Sequence, residues 1–450
     1  MSKVVPSKFM ATNVRMGADT FKEITPTFTR LLPVGVNSAT AYSPTSLNKI
    51  HWRIPCYGNS FIDCSRSFIS FTTKLTSTGL NTTSSANGVF GNGLPLFERC
   101  VVKSADGLVI SDITDYGFLQ RLFTITSAEE DYGVHRGVYG VDDAPTEVGA
   151  LMAEDVAVVS RGIVYTYQFN DGILSKDLAS YLPVFMMGTT YCLDLELYLS
   201  PANNCMRSHS APAGLSYTLE NPVYNICLLE MDSSLCAKFN EIACDPNEKI
   251  SIPFTTFRNH VSTLSAVNNI VHIHETSTNL KRIWSVYTDA TQTTTGTVLP
   301  FLGSAKQTTN GNKIVKYNYK IGGSHFIYAE PVEETLNNNI TLTHVKNAVW
   351  SSGKPMILSK TNATKTGTLF EDVNAGMFCT IANFTYSPEE MKAVHQGIAS
   401  STPIELNVVL NAIPASAKLV HNFCELGFNL VIRNGVVRYE EQKPGAASVY

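Results

Sequence analysis

Two short stretches of strict alternation, far apart in the chain, constrain the fold more than any other feature of this sequence. From Tyr191 to Ser200, the residues Tyr191, Leu193, Leu195, Leu197 and Leu199 alternate with Cys192, Asp194, Glu196, Tyr198 and Ser200. Successive strand side chains point to opposite faces, so this pattern predicts a strand with one buried and one wet face. Its counterpart lies about 211 to 213 positions further on, where Ile404, Leu406, Val408, Leu410 and Ala412 alternate with Glu405, Asn407, Val409 and Asn411. The offset recurs. Ser67-Phe-Ile-Ser-Phe-Thr-Thr-Lys-Leu75 has a partner at Lys281-Arg-Ile-Trp-Ser-Val-Tyr-Thr288. After each comes an excursion rich in Thr, Ser, Asn and Gly, residues 76–98 and 289–312, which reads as a long surface loop. A short helix is predicted before each alternating strand, over Lys176 to Leu182 and over Ser387 to Gln396. The second carries an N-cap serine, a proline at the first helical position and early glutamates.

One order of elements is therefore written twice. Many short strands with Gly-, Asn- and Pro-rich turns and few helices predict an all-β chain of two tandem eight-stranded jelly-roll β-sandwiches, a double jelly roll. A length of 450 residues suits two cores. The expected division is an N-terminal arm over residues 1–40, a first jelly roll over 41–213, a second over 214–440 and a tail over 441–450, with the join in the turn-rich stretch Ser200 to Gly214. A helix is predicted over Asp232 to Ala243, capped by Asp232, with Leu235, Phe239 and Ile242 on one face. It would cover a sheet edge or meet a neighbour.

Only 16% of residues are charged, so Thr, Ser and Asn supply the surface polarity, which suits a protein that packs broad areas against neighbours. A net charge of −4 offers no overall attraction for phosphate backbones, and no specific nucleic-acid site is expected. The ten cysteines form no CxxC pair and are expected as free thiols in a reducing compartment. The start MSKVVPSKF lacks the apolar core of a signal peptide and no apolar run is long enough for a span, so synthesis in the cytoplasm without secretion is expected. The arm, with Lys3, Lys8, Arg15, Lys22 and Arg30 against Asp19 and Glu23, is expected to touch a neighbouring subunit through Phe9, Met10 and Phe21. Its deletion over residues 1–38 is expected to leave the chain folded.

No catalytic, cofactor or metal site is predicted. His272 and His274 share one side of a predicted strand but lack further ligands at set spacing, so two surface or interface imidazoles are the expectation. Cys236 and Cys244 are expected as buried, inert thiols. Asp142-Asp143 and Glu129-Glu130-Asp131 read as solvated loop carboxylates, Gly91-Asn-Gly93 as a turn, and the sequons at Asn81, Asn339, Asn362 and Asn383 as unmodified polar positions. A glycan-binding jelly roll would show an aromatic platform or calcium loop, and a carbohydrate-active enzyme a paired carboxylate site. The platform and the calcium loop are not found; a glycan-binding or attachment protein stands as the alternative function, with the enzyme as a third reading.

Tyr42-Ser-Pro, His51-Trp-Arg-Ile-Pro, Asn59-Ser-Phe-Ile-Asp63 and Arg66-Ser-Phe-Ile-Ser-Phe71 resemble the opening strands of double jelly-roll major capsid proteins of polinton-like viruses, virophages and Mavericks. Asn221 to Asp232, Ile252 to Arg258 and Leu280 to Asp289 are similar to the segments that open the second jelly roll there. The resemblance covers residues 40–440 as spacing and residue type, without a catalytic signature. It implies a homotrimeric, pseudo-hexagonal capsomer tiling an icosahedral shell around double-stranded DNA, with partners in itself, neighbouring capsomers, and penton and minor capsid proteins. Loops 76–98 and 289–312 would reach the outer crown or the subunit contacts, and the arm the inner face. The compact length implies modest loop towers.

Overall fold

The computed structural model describes residues 25–35, 40–75, 88–90, 96–125, 163–208, 216–245, 249–289, 303–304, 313–333, 340–345, 379–384, 398–400, 404–433 and 436–441, apart from residues 179, 189, 232, 246–248, 323–324 and 342. Eight main strands in each half organise them. The first half contains β1 (Thr25–Leu31), β2 (Lys49–Pro55), β3 (Phe68–Leu75), β4 (Phe97–Ser104), β5 (Val109–Thr114), β6 (Ile163–Tyr167), β7 (Tyr191–Leu199) and β8 (Tyr217–Glu230). The second contains β9 (Ile250–Leu264), β10 (Asn268–Ile273), β11 (Ser277–Asp289), β12 (Lys313–Ile321), β13 (Val332–Glu333), β14 (Cys379–Asn383), β15 (Ile404–Leu410) and β16 (Lys418–Arg433). Two longer helices accompany these strands among the described residues, α1 (Tyr116–Ile125) and α2 (Ser233–Cys244).

The first half forms sheets β1-β8-β3-β6 and β2-β7-β4-β5. Adding eight to every label gives the second half, β9-β16-β11-β14 and β10-β15-β12-β13. This is the eight-stranded jelly-roll order written twice. The alternating segments land as equivalent strands, β7 and β15, and the Ser67 and Lys281 segments as β3 and β11. Along β15 the burial alternates without a break, Ile404, Leu406, Val408 and Leu410 inward. On β7 the expected wet face is interrupted, because Cys192 and Glu196 are buried too. A bulge after Tyr191 re-aims Cys192. Lys103 and Tyr198 donate to the Glu196 carboxylate and Lys49 pairs with it, which covers that side chain on the outer face. In the second core, Tyr319 of β12 donates to Ser285 of β11 at 2.8 Å and lies 2.9 Å from the Thr380 hydroxyl of β14, so the two sheets are joined by hydrogen bonds as well as by apolar contact.

Four expectations need correction. The boundary does not fall at 213/214: β8 pairs with β1 and β3 and closes the first sandwich, so the division lies between Glu230 and Ile250, where α2 sits. The arm does not extend to residue 40, because Thr25 to Leu31 pair along their whole length with Tyr224 to Glu230. β1 escaped notice because it is an edge strand, mostly exposed, whose stability comes from backbone hydrogen bonds and not from an apolar stripe. Lys176 and Asp177 form a turn, and the described residues from Lys176 to Leu182 contain no helix. Glu441 is not tail but the last residue of a strand, Val436–Glu441, added to the edge of β16. Residues 1–24, most of both polar excursions, Ser387 to Gln396 and residues 442–450 lie outside the described residues.

A close approach is built into the turn before β7. A Cβ on Gly188 would collide with the Tyr191 carbonyl oxygen and stand 3.2 Å from the Cys56 sulfur. Backbone cannot yield cheaply, so Gly188→Ala is expected to lower stability by about 1–3 kcal/mol, read as a drop in thermal midpoint.

Candidate functional site at the junction of the two sandwiches

What distinguishes this chain from a single sandwich is the way its two halves are fixed to each other. Residues opposite one another in a ladder share a face. Alternation along β16 therefore sends His421, Phe423 and Glu425 to one side of their sheet, and Asn422 and Cys424 to the other. The second side is the core, since Asn422 accepts from Ser285 at 2.6 Å and Ser285 meets Tyr319 of the opposite sheet. The first side turns toward the first sandwich. There His421 Nδ1 lies 3.2 Å from Asp115 Oδ2, Asn259 donates to the same oxygen at 2.8 Å, and the Phe118 ring packs 4.9 Å from the His421 ring.

Asp115 sits at the turn from β5 into α1 with φ of 53°, a left-handed conformation that aspartate tolerates better than most residues. That turn aims its carboxylate outward while Phe118, one turn into α1, reaches the same histidine. The helix is anchored at its base: the Tyr116 hydroxyl donates to Asp171 at 2.9 Å and Gln120 donates to Asp171 at 3.1 Å, all three buried. Two further contacts lie at the junction. The hydroxyls of Ser111 and Thr256 are 2.9 Å apart and buried, and the Gly172 amide donates to the Thr255 carbonyl at 2.8 Å.

The covered face of the second sandwich also holds ions. Arg282 donates to Glu425 Oε1 at 2.7 Å, Trp284 donates to Oε2 at 3.1 Å, and Lys281, at a bulge in β11, donates to the Thr255 hydroxyl at 3.2 Å. Burial alone would raise the Glu425 carboxyl, but Arg282 and Lys281 with the two hydrogen bonds outweigh it and hold the group below the usual range. Burial, the larger effect, and the neighbouring Arg282 charge lower Lys281 to about 8 against the partial compensation of Glu425. α2 adds a further link, with Phe239 edge-on to Phe61 of the first half at 5.3 Å.

The residues singled out in the sequence fall elsewhere. His272 and His274 are both exposed on one side of β10 and its continuation, with rings stacked 6.2 Å apart and His272 3.9 Å from Glu405. Cys236 is buried, but Cys244 is exposed, which corrects the expectation of two buried thiols. Asn383 is a half-buried residue of β14, and Asn81, Asn339, Asn362, the acidic loop pairs, Gly91 to Gly93 and Phe9, Met10 and Phe21 lie outside the described residues. Among the described residues, the one set of three potential metal donors close together is His260, Glu275 and Cys424. Arg258 at 2.8 Å and His260 at 3.0 Å already meet the Glu275 carboxylate, so the set reads as an ion-pair cluster. Sequence reasoning missed it because its members come from three separate segments.

No protein-family model and no curated protein sequence matches the chain. Solved structures do. A chain of the Sputnik virophage, from a cryo-EM structure at 3.5 Å, superposes with a TM-score of 0.57 at 9% identity, covering 100% of this chain and 94% of its own. The quasi-atomic model of the PBCV-1 virus capsid gives 0.57 at 10% identity, over 95% and 99%. The mavirus major capsid protein gives 0.52 at 11% identity, over 98% and 96%. At such identities the shared property is the fold, and it extends over both sandwiches.

Proposed function

We propose that this chain is the major structural protein of an icosahedral double-stranded DNA virus shell. Three copies form a capsomer of pseudo-hexagonal outline, and capsomers tile the shell. The observation that carries the reading is the fixed pairing of two sandwiches with one strand order. Two matching blocks held rigidly in each subunit let a threefold assembly present six nearly equivalent sides, combining closed symmetry with sheet-like tiling. Solved structures that share the fold along nearly the whole chain come from a virophage, a virus capsid and a major capsid protein, which supports this role.

The role is architectural and not enzymatic, with no cofactor. Its partners are further copies of itself, neighbouring capsomers, and penton and minor capsid proteins, with the segment before β1 reaching the inner face. Synthesis is in the host cytoplasm and residence is in the virion. The test is the mass of the purified chain in solution together with negative-stain images. A homotrimer with a hexagonal outline is the expected result; a stable monomer that binds sugar would replace this reading with an attachment protein.

A further inference from the structure

Cys56 follows β2 directly, at the corner where the chain leaves one sheet of the first sandwich and enters the other as Ser60–Ile62, paired with β8. Its amide donates to the Thr190 carbonyl at 3.3 Å, and its sulfur lies against the backbone of the turn at Gly188. Across the ladder stands Cys192, the residue displaced by the β7 bulge, whose thiol donates to the Ile54 carbonyl at 3.3 Å. The Cys192 sulfur also lies 3.8 Å from the Pro55 carbonyl oxygen, beside the peptide that leads into Cys56. Cys56 is half-buried and within reach of small solutes, while Cys192 is buried behind it.

We propose that Cys56 and Cys192 are a redox site, a nucleophilic and a resolving thiol that close to an intramolecular disulfide when the chain meets a small disulfide of the glutathione type. The neighbouring Cys192 thiol holds Cys56 below the ordinary thiol value, against the opposing effect of partial burial. By contrast, burial pushes Cys379 up to about 12, and it stays inert. The Cys56 thiolate attacks one sulfur of the small disulfide, whose S–S bond breaks and releases one small thiolate. Cys192 is held protonated by its contact with Cys56 and by burial. Once Cys56 is in the mixed disulfide, the opposing charge is gone. Cys192 then passes its proton to the released thiolate and attacks the Cys56 sulfur, expelling the second small thiol. Two protein thiols are oxidised by two electrons, and one small disulfide is reduced to two thiols. Closure brings the two sulfurs, carried by paired strand segments, to about 2 Å.

The bond would staple the sheet-to-sheet corner to β7 and enclose the chain from 56 to 192. It forms in the isolated chain, so its test does not depend on shell assembly. The purified full-length chain is incubated in buffers of graded glutathione to glutathione disulfide ratio, remaining thiols are alkylated, and peptides are mapped by mass spectrometry without reduction. The expected product is a linked pair of peptides containing Cys56 and Cys192, while exposed Cys244 carries glutathione. The thermal midpoint is expected to rise by about 5–10 °C on oxidation, and not in Cys56→Ser. Recovery of both cysteines alkylated, or of Cys56 as a lasting glutathione adduct beside a free Cys192, overturns the proposal; the wild-type map decides even where the variant folds poorly.

Discussion

Glu425→Ala is expected to destabilise the chain by about 3–5 kcal/mol, because it removes the counter-ion that the buried Arg282 and Lys281 share. Lys281→Met is expected to act in the opposite direction. A lysine held at about 8, against an ordinary 10.5, opposes folding by about 3 kcal/mol at neutral pH, since the unfolded chain binds that proton more tightly. The penalty is full below pH 8, is relieved as pH rises from 8 to 10.5, and is absent above. Removing the amine also removes its bond to Thr255, so the net gain at pH 7 is about 2 kcal/mol. Urea titrations between pH 7 and 10.5 check both statements. The wild type should gain stability across that window and Lys281→Met should not; equal slopes would mean that Lys281 is already neutral or solvated at pH 7. At acid pH the depressed Glu425 acts with the other sign. Its contribution is present above the ordinary glutamate value of 4.5 and is lost as pH falls through its folded value.

Removal of residues 1–24 is expected to leave the thermal midpoint unchanged, whereas removal of residues 1–38 is expected to cost about 3–5 kcal/mol and to produce aggregation visible by light scattering. The longer deletion takes β1 from the edge of its sheet and leaves the β8 backbone from Tyr224 to Glu230 unpaired on that side. An exposed, apolar strand edge recruits other chains. Identical melting of both truncated chains would show that β1 adds nothing to the first sandwich.

The doubled architecture was legible because β7, β15, β3 and β11 are inner or half-buried strands, where packing forces apolar residues into a period of two. α2 was legible for the matching reason, with Phe239 on its buried face. The boundary was not. Asn221 to Asp232 reads as the start of a second unit because a helix follows, yet an apolar strand carries no mark saying whether it closes the preceding sheet or opens the next. Lys176 to Leu182 has helical composition, but its backbone groups are taken by tertiary partners: the Lys176 amide donates to Phe169, and Leu182 exchanges bonds with Ile62. The junction was invisible from sequence. Asp115, Asn259 and His421 are ordinary polar residues until β5, β9 and β16 bring them together, and Cys56 and Cys192 sit 136 positions apart with no motif to join them.

The placing of β1 against β8 and of β9 against β16 bears on how the protein is made. Each sandwich needs its first and its eighth main strand side by side, so neither can close while the ribosome is still inside it. Roughly 190 residues separate the end of β1 from the start of β8, which at about 5–20 residues per second holds the nascent edge open for about 10–40 s. During that time the growing polypeptide offers an unsatisfied ladder to every copy emerging nearby. Chaperone demand in a cell translating this message at high level should therefore track the elongation rate, and slower translation should worsen the yield.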